Sequence, residues 1–202
     1  MNTVLSLPFR LTILAVAVAV WLVIFFTVKR FQAAPRRRLD SSIPLDHKTP
    51  FVPQMALVYF STYVFVVLPF VLLSEARLFW AILGGYAAVT AIATALHAAL
   101  PSQVQRVEDL AAYGFSGWTL GLFQKICKPY GNFPSMHVAF SVLAVGASYL
   151  WAGPVAGSLA LVWAILIALS TLFAKQHYIL DVLGGVLIGS LVFASVFWLA
   201  LV

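Results

Sequence analysis

Phe133-Pro134-Ser135-Met136-His137 and Lys175-Gln176-His177-Tyr178-Ile179-Leu180-Asp181 bracket a run of almost wholly apolar residues. Across the tail from Pro129 to Val202, the only groups besides tyrosines that can titrate are His137, Lys175, His177 and Asp181. A charge at the centre of a membrane helix costs roughly 2.5–3.5 kcal/mol on insertion scales. Four titratable groups kept in a tail otherwise suited to lipid therefore mark a site.

The rest of the chain supports that lipid setting. Of its 202 residues 63% are hydrophobic and 9% charged, which excludes an ordinary soluble domain. Its apolar runs are long and continuous rather than alternating, so helices and not a barrel satisfy the backbone in lipid. The net charge of +6 does not indicate nucleic acid, because most basic residues flank apolar runs, as topology rules require. A single cysteine, Cys127, excludes an intrachain disulfide and a cysteine metal cluster, and reads as a packing residue. The first apolar run lacks a convincing small-residue cleavage site, so it is expected to be a retained helix.

Six spans are expected: Leu11–Val28, Met55–Leu73, Leu78–Leu100, His137–Trp151, Val155–Ala174 and Tyr178–Val202. The chain thus reads as an all-α membrane protein, one six-helix bundle over residues 1–202. The fourth span is short unless its helix begins before His137. Pro69 is expected to kink or end the second span. Gly153-Pro154 makes a tight turn. Gly117/Gly121, Gly153/Gly157 and Gly185/Gly189 read as helix-contact sites. His97 reads as a packing or interfacial residue outside the site. The link 101–133 is long enough to be functional, and its Tyr113, Trp118 and Tyr130 suit a membrane surface.

Loops after the first, third and fifth spans share one side of the membrane, so both halves of the opening stretch meet at helix ends on one face. That side carries Lys29, Arg30, Arg36, Arg37, Arg38, Lys48, Arg106, Lys125, Lys128 and Lys175; the other carries Arg10 and Arg77. The positive-inside rule then places the site on the cytoplasmic face, in a multi-pass protein of a bacterial inner (plasma) membrane.

His177 and Asp181, four residues apart at a helix start, share a face. A carboxylate there accepts a ring N–H, fixes the tautomer and favours the imidazolium. Such a pair in isolation more often only satisfies itself; His137 changes the weighing. Ser135 is a good N-cap, and free amides gather behind it. Ser135, the amides that follow at Met136 and His137, and the cations Lys175 and Arg106 make a cradle for an anion. Two histidines, one with a carboxylate, then suit phosphoryl transfer, one attacking phosphorus and the other protonating the leaving oxygen. Two histidines and a carboxylate also suit a metal, but the neighbouring cations favour an anion instead.

Phe133-Pro134-Ser135-Met136-His137 resembles the Pro-Ser-x-His motif of the type 2 phosphatidic acid phosphatase superfamily. Ser170 through His177 to Asp181 resembles its third motif, Ser-Arg-x5-His-x3-Asp. That resemblance implies a phosphohistidine on His177, orientation by Asp181, general acid catalysis by His137 and phosphate binding by Ser135 with its neighbouring amides. It implies no cofactor and no metal, and a phosphorylated lipid among membrane lipids as substrate. The chain departs from the pattern at two motifs. Thr171 stands at the third motif's arginine position, and Lys175 is the expected stand-in. In the first motif only Arg106 persists, with Ala99 at the lysine position. Lys-Gln-His at 175–177 is similar to a subgroup related to inositol phosphorylceramide synthases, as is Lys128-Pro129-Tyr130-Gly131-Asn132, where Lys128 is a further phosphate-binding candidate. The expected function is hydrolysis of a lipid phosphate or diphosphate, with transfer of the phospho group to a hydroxyl acceptor as the alternative.

Overall fold

A computed structural model describes residues 3–34 and 37–201, the side chains of 197–201 excepted; Arg36 of the basic cluster and Val202 at the end of the sixth span lie outside the described residues. The described chain is built of α1 (Leu7–Ala33), α2 (Pro44–Lys48), α3 (Met55–Leu72), α4 (Ala76–Ala99), α5 (Gly114–Ile126), α6 (Met136–Phe173) and α7 (Ile179–Leu201). Five of these helices, α1, α3, α4, α6 and α7, are long and apolar enough to cross a membrane.

The six expected spans fit in those five helices because α6 is two helices in succession. Its backbone breaks at Gly153 (φ 80°, ψ −175°), a left-handed conformation that glycine adopts without strain, and Pro154 opens the second leg. The legs fold back on each other. Tyr149 Oη and Ser158 Oγ lie 3.1 Å apart, and Phe65 of α3 packs in one cluster with Ala144 of the first leg and Ala160 and Ile167 of the second. The fourth span starts at Met136, just before His137, and runs to this break, about 26 Å at about 1.5 Å per residue, at the lower end of what crosses a bilayer. Pro69 does not break α3, which continues to Leu72, where the Leu73 amide returns to the Pro69 carbonyl.

α7 lies against the first leg of α6 at very close range. A Cβ at Gly185 would meet the Ser135 carbonyl oxygen at 2.5 Å, and one at Gly189 the Ala139 carbonyl oxygen at 2.8 Å. This pair is the small-residue contact expected from the sequence. Gly117 and Gly121, by contrast, lie under Leu110 of their own loop rather than against another span.

The far end of the bundle is closed by α1, α3 and α4. The Leu5 amide donates to the Ser74 carbonyl, and the Arg10 guanidinium to the Val71 carbonyl. Phe70, Leu73, Phe79 and Ile82 fill this end, with Leu14 of α1 packed on them. At the opposite end the link 101–133 holds the short helix α5 (Gly114–Ile126), which the sequence did not reveal. α5 buries Leu120 and Phe123 against α3 and exposes Phe115, Trp118 and Leu122, the disposition of a helix lying in a membrane interface. A short parallel ladder, β1 (Leu39–Asp40) beside β2 (Ser102–Gln103), ties the first loop to this link.

Gly189→Leu places a branched side chain against the α6 backbone. It is expected to destabilise the protein by about 1–3 kcal/mol or more, as overpacking does, read as a lowered thermal unfolding midpoint in detergent. The same change at Gly84, where a Cβ meets nothing within 4 Å, is expected to leave the midpoint near wild type.

Candidate active site

Both halves of the opening stretch meet at the loop-rich end of the bundle. The Ser135 amide donates to the Asp181 carbonyl at 2.9 Å, joining the start of α6 to the start of α7. The His137 and His177 rings stand edge to face, with centroids 5.6 Å apart. His177 Nδ1 lies 3.4 Å from Asp181 Oδ2, within ion-pair range but not aligned as a hydrogen bond. That nitrogen faces the carboxylate, which leaves Nε2 for a ligand.

Asp181 is fully buried, and its other contacts fix it. Oδ2 accepts the Tyr178 amide at 2.9 Å and Oδ1 the Ser41 hydroxyl at 3.3 Å. The turn that delivers His177 is held by the Thr171 carbonyl, which accepts the amides of both Gln176 and His177. Thr171 itself is buried, its hydroxyl turned back on the Ala168 carbonyl.

His137 sits in the first turn of α6. Its Nε2 lies 3.1 Å from the Tyr59 hydroxyl and 3.5 Å from that of Tyr63, and its Nδ1 is buried without a partner. Ser135 occupies the N-cap of α6, yet its hydroxyl caps nothing; it is wholly buried and unpartnered. The amides of Met136 and His137 point out of a helix N-terminus, where anions are favoured. His97, expected as a packing or interfacial residue, is buried, and its Nε2 donates to the Pro134 carbonyl at 3.0 Å, just before the cradle.

A cavity of about 750 Å³ opens on this cluster. Met136, His137, His177 and Arg106 line it, together with His97, Asn132, Tyr59 and Tyr63; Ser135 lies behind that lining. The cavity then continues between α1, α3 and α4, past Ile24 and Trp21 to Leu14, Phe70 and Leu83. From Lys29 to Leu14 it follows α1 for about 22 Å at about 1.5 Å per residue. It therefore reaches past the middle of a hydrocarbon layer ~30 Å thick.

The expected cations fall into two groups. Arg106 lines the cavity; its guanidinium donates to the Cys127 carbonyl and its Nε is buried without a partner. Burial pulls Arg106 below its ordinary pKa, but a guanidinium keeps its charge in proteins. Lys175 is not in the lining. Its ammonium donates to the Asp46 and Thr49 carbonyls at 2.9 and 2.5 Å, at the C-terminal end of α2. Lys175 has φ 53°, a left-handed turn that carries the chain from α6 toward α7. Lys128 is exposed and also absent from the lining. Burial pushes the Cys127 thiol above its ordinary pKa, against the pull of Lys29 and Arg106, which keeps it an inert packing group.

Tyr59, Tyr63, Ser41, Asp46 and Lys29 also stand around the site, and no sequence signal marks them. Asp46 Oδ1 accepts the Ile179 amide at the start of α7, and Oδ2 the Ile43 amide. Its carboxylate thus caps the helix that carries Asp181. None of these five belongs to a local motif; Lys29 reads as a topology anchor, and the tyrosines lie in an apolar run.

A family model described as the PAP2 superfamily matches residues 74–201, more than half of the chain. The chain belongs to the PAP2 superfamily. Within the matched segment lie both histidines, Asp181, Ser135 and Arg106, while α1 and α3 precede it. A PA-phosphatase related-family protein of Dictyostelium discoideum is 35% identical over 77 residues, 38% of this chain and 14% of that relative. The chain thus matches a small part of that protein's length. No solved structure matches. PAP2 membership supports a lipid phosphatase or related phosphotransferase family.

Asp46→Ala removes the acceptor of two backbone amides and is expected to destabilise the protein by about 1–3 kcal/mol, the cost of leaving buried donors unpaired. Asp46→Asn keeps an acceptor oxygen and is expected to recover part of that loss. Thermal unfolding of both variants in detergent checks the difference.

Proposed function

We propose that this PAP2 protein hydrolyses the phosphate or diphosphate ester of a membrane lipid through a phosphohistidine on His177. The observation that carries this reading is the His177–Asp181 pair facing His137 at the polar end of a cavity whose remainder is mostly apolar. A phosphoryl group at that end leaves its lipid chain to lie between α1, α3 and α4.

In the first step His177 Nε2 attacks phosphorus, and the bond from phosphorus to the lipid oxygen breaks. Asp181, held by Tyr178 and Ser41, stabilises the positive charge that grows on the His177 ring. His137 in its protonated form gives its proton to the departing lipid oxygen. In the second step water attacks phosphorus, the P–N bond breaks, and His137 takes the proton of that water. Ser135, the Met136 and His137 amides and Arg106 hold the phosphoryl oxygens, whose charge rises in the transition state. Lys175, engaged with α2, acts here by holding the turn before His177. Transfer to an alcohol in place of water would use the same intermediate, so acceptor trials on the purified protein separate the two outcomes.

Purified protein is expected to release inorganic phosphate from lipid phosphates in the presence of a chelator. His177→Ala should reduce release to background, and His137→Ala should slow it by about 10²–10⁴-fold, the usual contribution of a general acid. Full activity in His177→Ala would exclude that residue as the nucleophile.

We place the site on the cytoplasmic face, because the loops around it carry Arg37, Arg38 and Lys48 as well as the cavity cations. Lys48 is exposed at the end of α2. In a Lys48→Cys variant, an impermeant maleimide should label only after cells are permeabilised. Labelling of intact cells would put the site outside.

A further inference from the structure

Lys29 enters the cavity from α1, outside the segment that carries the family resemblance. Its ammonium donates to the Tyr130 carbonyl and lies 5.7 Å from the centroid of the Phe25 ring. It shares the polar end of the cavity with Arg106, His137 and His177. No aspartate or glutamate is among the residues lining this cavity. The ion pair found among the described residues is that of His177 with Asp181, and neither cation has a carboxylate partner there.

Two half-buried cations at one end of a cavity without an acid are costly, since charges drawn out of water are normally paired. Their position is also firmly held. Gln32, one turn beyond Lys29, is buried and donates to the His97 carbonyl. Gly131, at φ +62°, leaves room for the Gln32 amide where a side chain would collide. The Arg38 guanidinium stacks 3.6 Å above the Tyr130 ring. The end of α1 is thus docked on residues 130–132, directly before the cradle at Ser135. A cation held this way, short of a counter-charge, calls for a ligand that brings one.

We propose that Lys29 is a phosphate-binding residue, which with Arg106 neutralises the phosphoryl group presented to His177. This rests on the phosphoryl-transfer reading above. Lys29 supplies the cation that Lys175 and Thr171 do not deliver to the cavity. The ligand chemistry is a tetrahedral phosphoryl oxyanion, carried by the lipid substrate and again by the released phosphate.

Full-length Lys29→Met, Lys29→Arg and Arg30→Met proteins test this. Arg30 is exposed on the same helix and does not line the cavity. Lys29→Met is expected to lose about 10²–10³-fold in kcat/KM for a lipid phosphate, the size of a lost transition-state donor. Lys29→Arg should recover most of it, and Arg30→Met should match wild type. Inhibition by orthovanadate and by inorganic phosphate should weaken in Lys29→Met along with lipid turnover. Weakened inhibition with lipid KM unchanged would assign Lys29 to the released phosphate and still support the site. Equal kcat/KM and equal vanadate inhibition in Lys29→Met and wild type would overturn it. So would a lower unfolding temperature with unchanged vanadate affinity, which marks a structural lysine.

A separate arm does not depend on turnover. Vanadate should raise the unfolding temperature of wild type and not that of Lys29→Met. If wild type releases no phosphate from any lipid yet shows this Lys29-dependent shift, the hydrolytic reading fails and the phosphate site stands. If vanadate shifts neither protein, or both alike, the site falls.

Discussion

One hydrogen bond joins the two halves of the site: the Ser135 amide donates to the Asp181 carbonyl. It runs from the first residue before α6 to the first turn of α7, two segments separated by a long helical hairpin. Each helix start has amides without intrahelical partners, which lipid cannot satisfy. Drawing the two starts together lets one supply an acceptor to the other and leaves the Met136 and His137 amides free. Gly185 and Gly189 make the approach possible, since a side chain at either would push α7 off the α6 backbone. The small-residue stripe is thus a condition for the chemistry as well as for packing. Asp46 adds the outer support by capping the Ile179 amide from α2.

The same close approach sorts the polar groups by depth. His137, His177 and Arg106 gather at one end of the cavity, and its remaining length is mostly aliphatic and aromatic, with Thr62, Thr90 and Thr94 as its polar members. Removal of water strengthens every charge interaction at that end. It makes the Asp181 carboxylate effective on His177, and it makes unpaired cations costly. The far end of the bundle is filled by Phe70 and Phe79 and tied by the contacts of Arg10 and Leu5.

What the sequence made legible follows from locality. Pro134-Ser135-x-His137 and His177-x3-Asp181 are short enough for helix periodicity to fix their relative placement, and span counting put both on one face. The break at Gly153-Pro154 was readable because glycine and proline act locally. Lys175 shows the opposite case. Two residues from His177 it reads as a phosphate cation, but it is the left-handed residue of the turn, and its ammonium ends on α2. Tyr59, Tyr63, Ser41 and Lys29 reach the site only through packing between distant helices, and nothing in an apolar run distinguishes a helix face that lines a cavity from one that faces lipid. α5 was hidden because Leu120 and Phe123 on one side, Phe115 and Trp118 on the other, leave little amphipathic contrast.

The division between what was legible and what was not coincides with a division along the chain. Residues 74–201, where the family pattern lies, contribute the histidines, Asp181 and the cradle. The segment before them contributes Lys29, the tyrosines at His137 and two of the three walls of the apolar cavity. An enzyme raises its rate by using contacts remote from the reacting centre to hold the substrate in the geometry of the transition state. On the proposed reaction most of those remote contacts belong to α1 and α3, with α4 as the third wall, so the choice of lipid chain rests largely on the segment before residue 74. The family resemblance accordingly speaks to the bond that is broken and is nearly silent on the molecule that carries it. Lys29 lies where the two parts join, with its backbone in the apolar wall and its ammonium at the polar end, so on the proposed reaction the docking of α1 bears on chain and phosphate together.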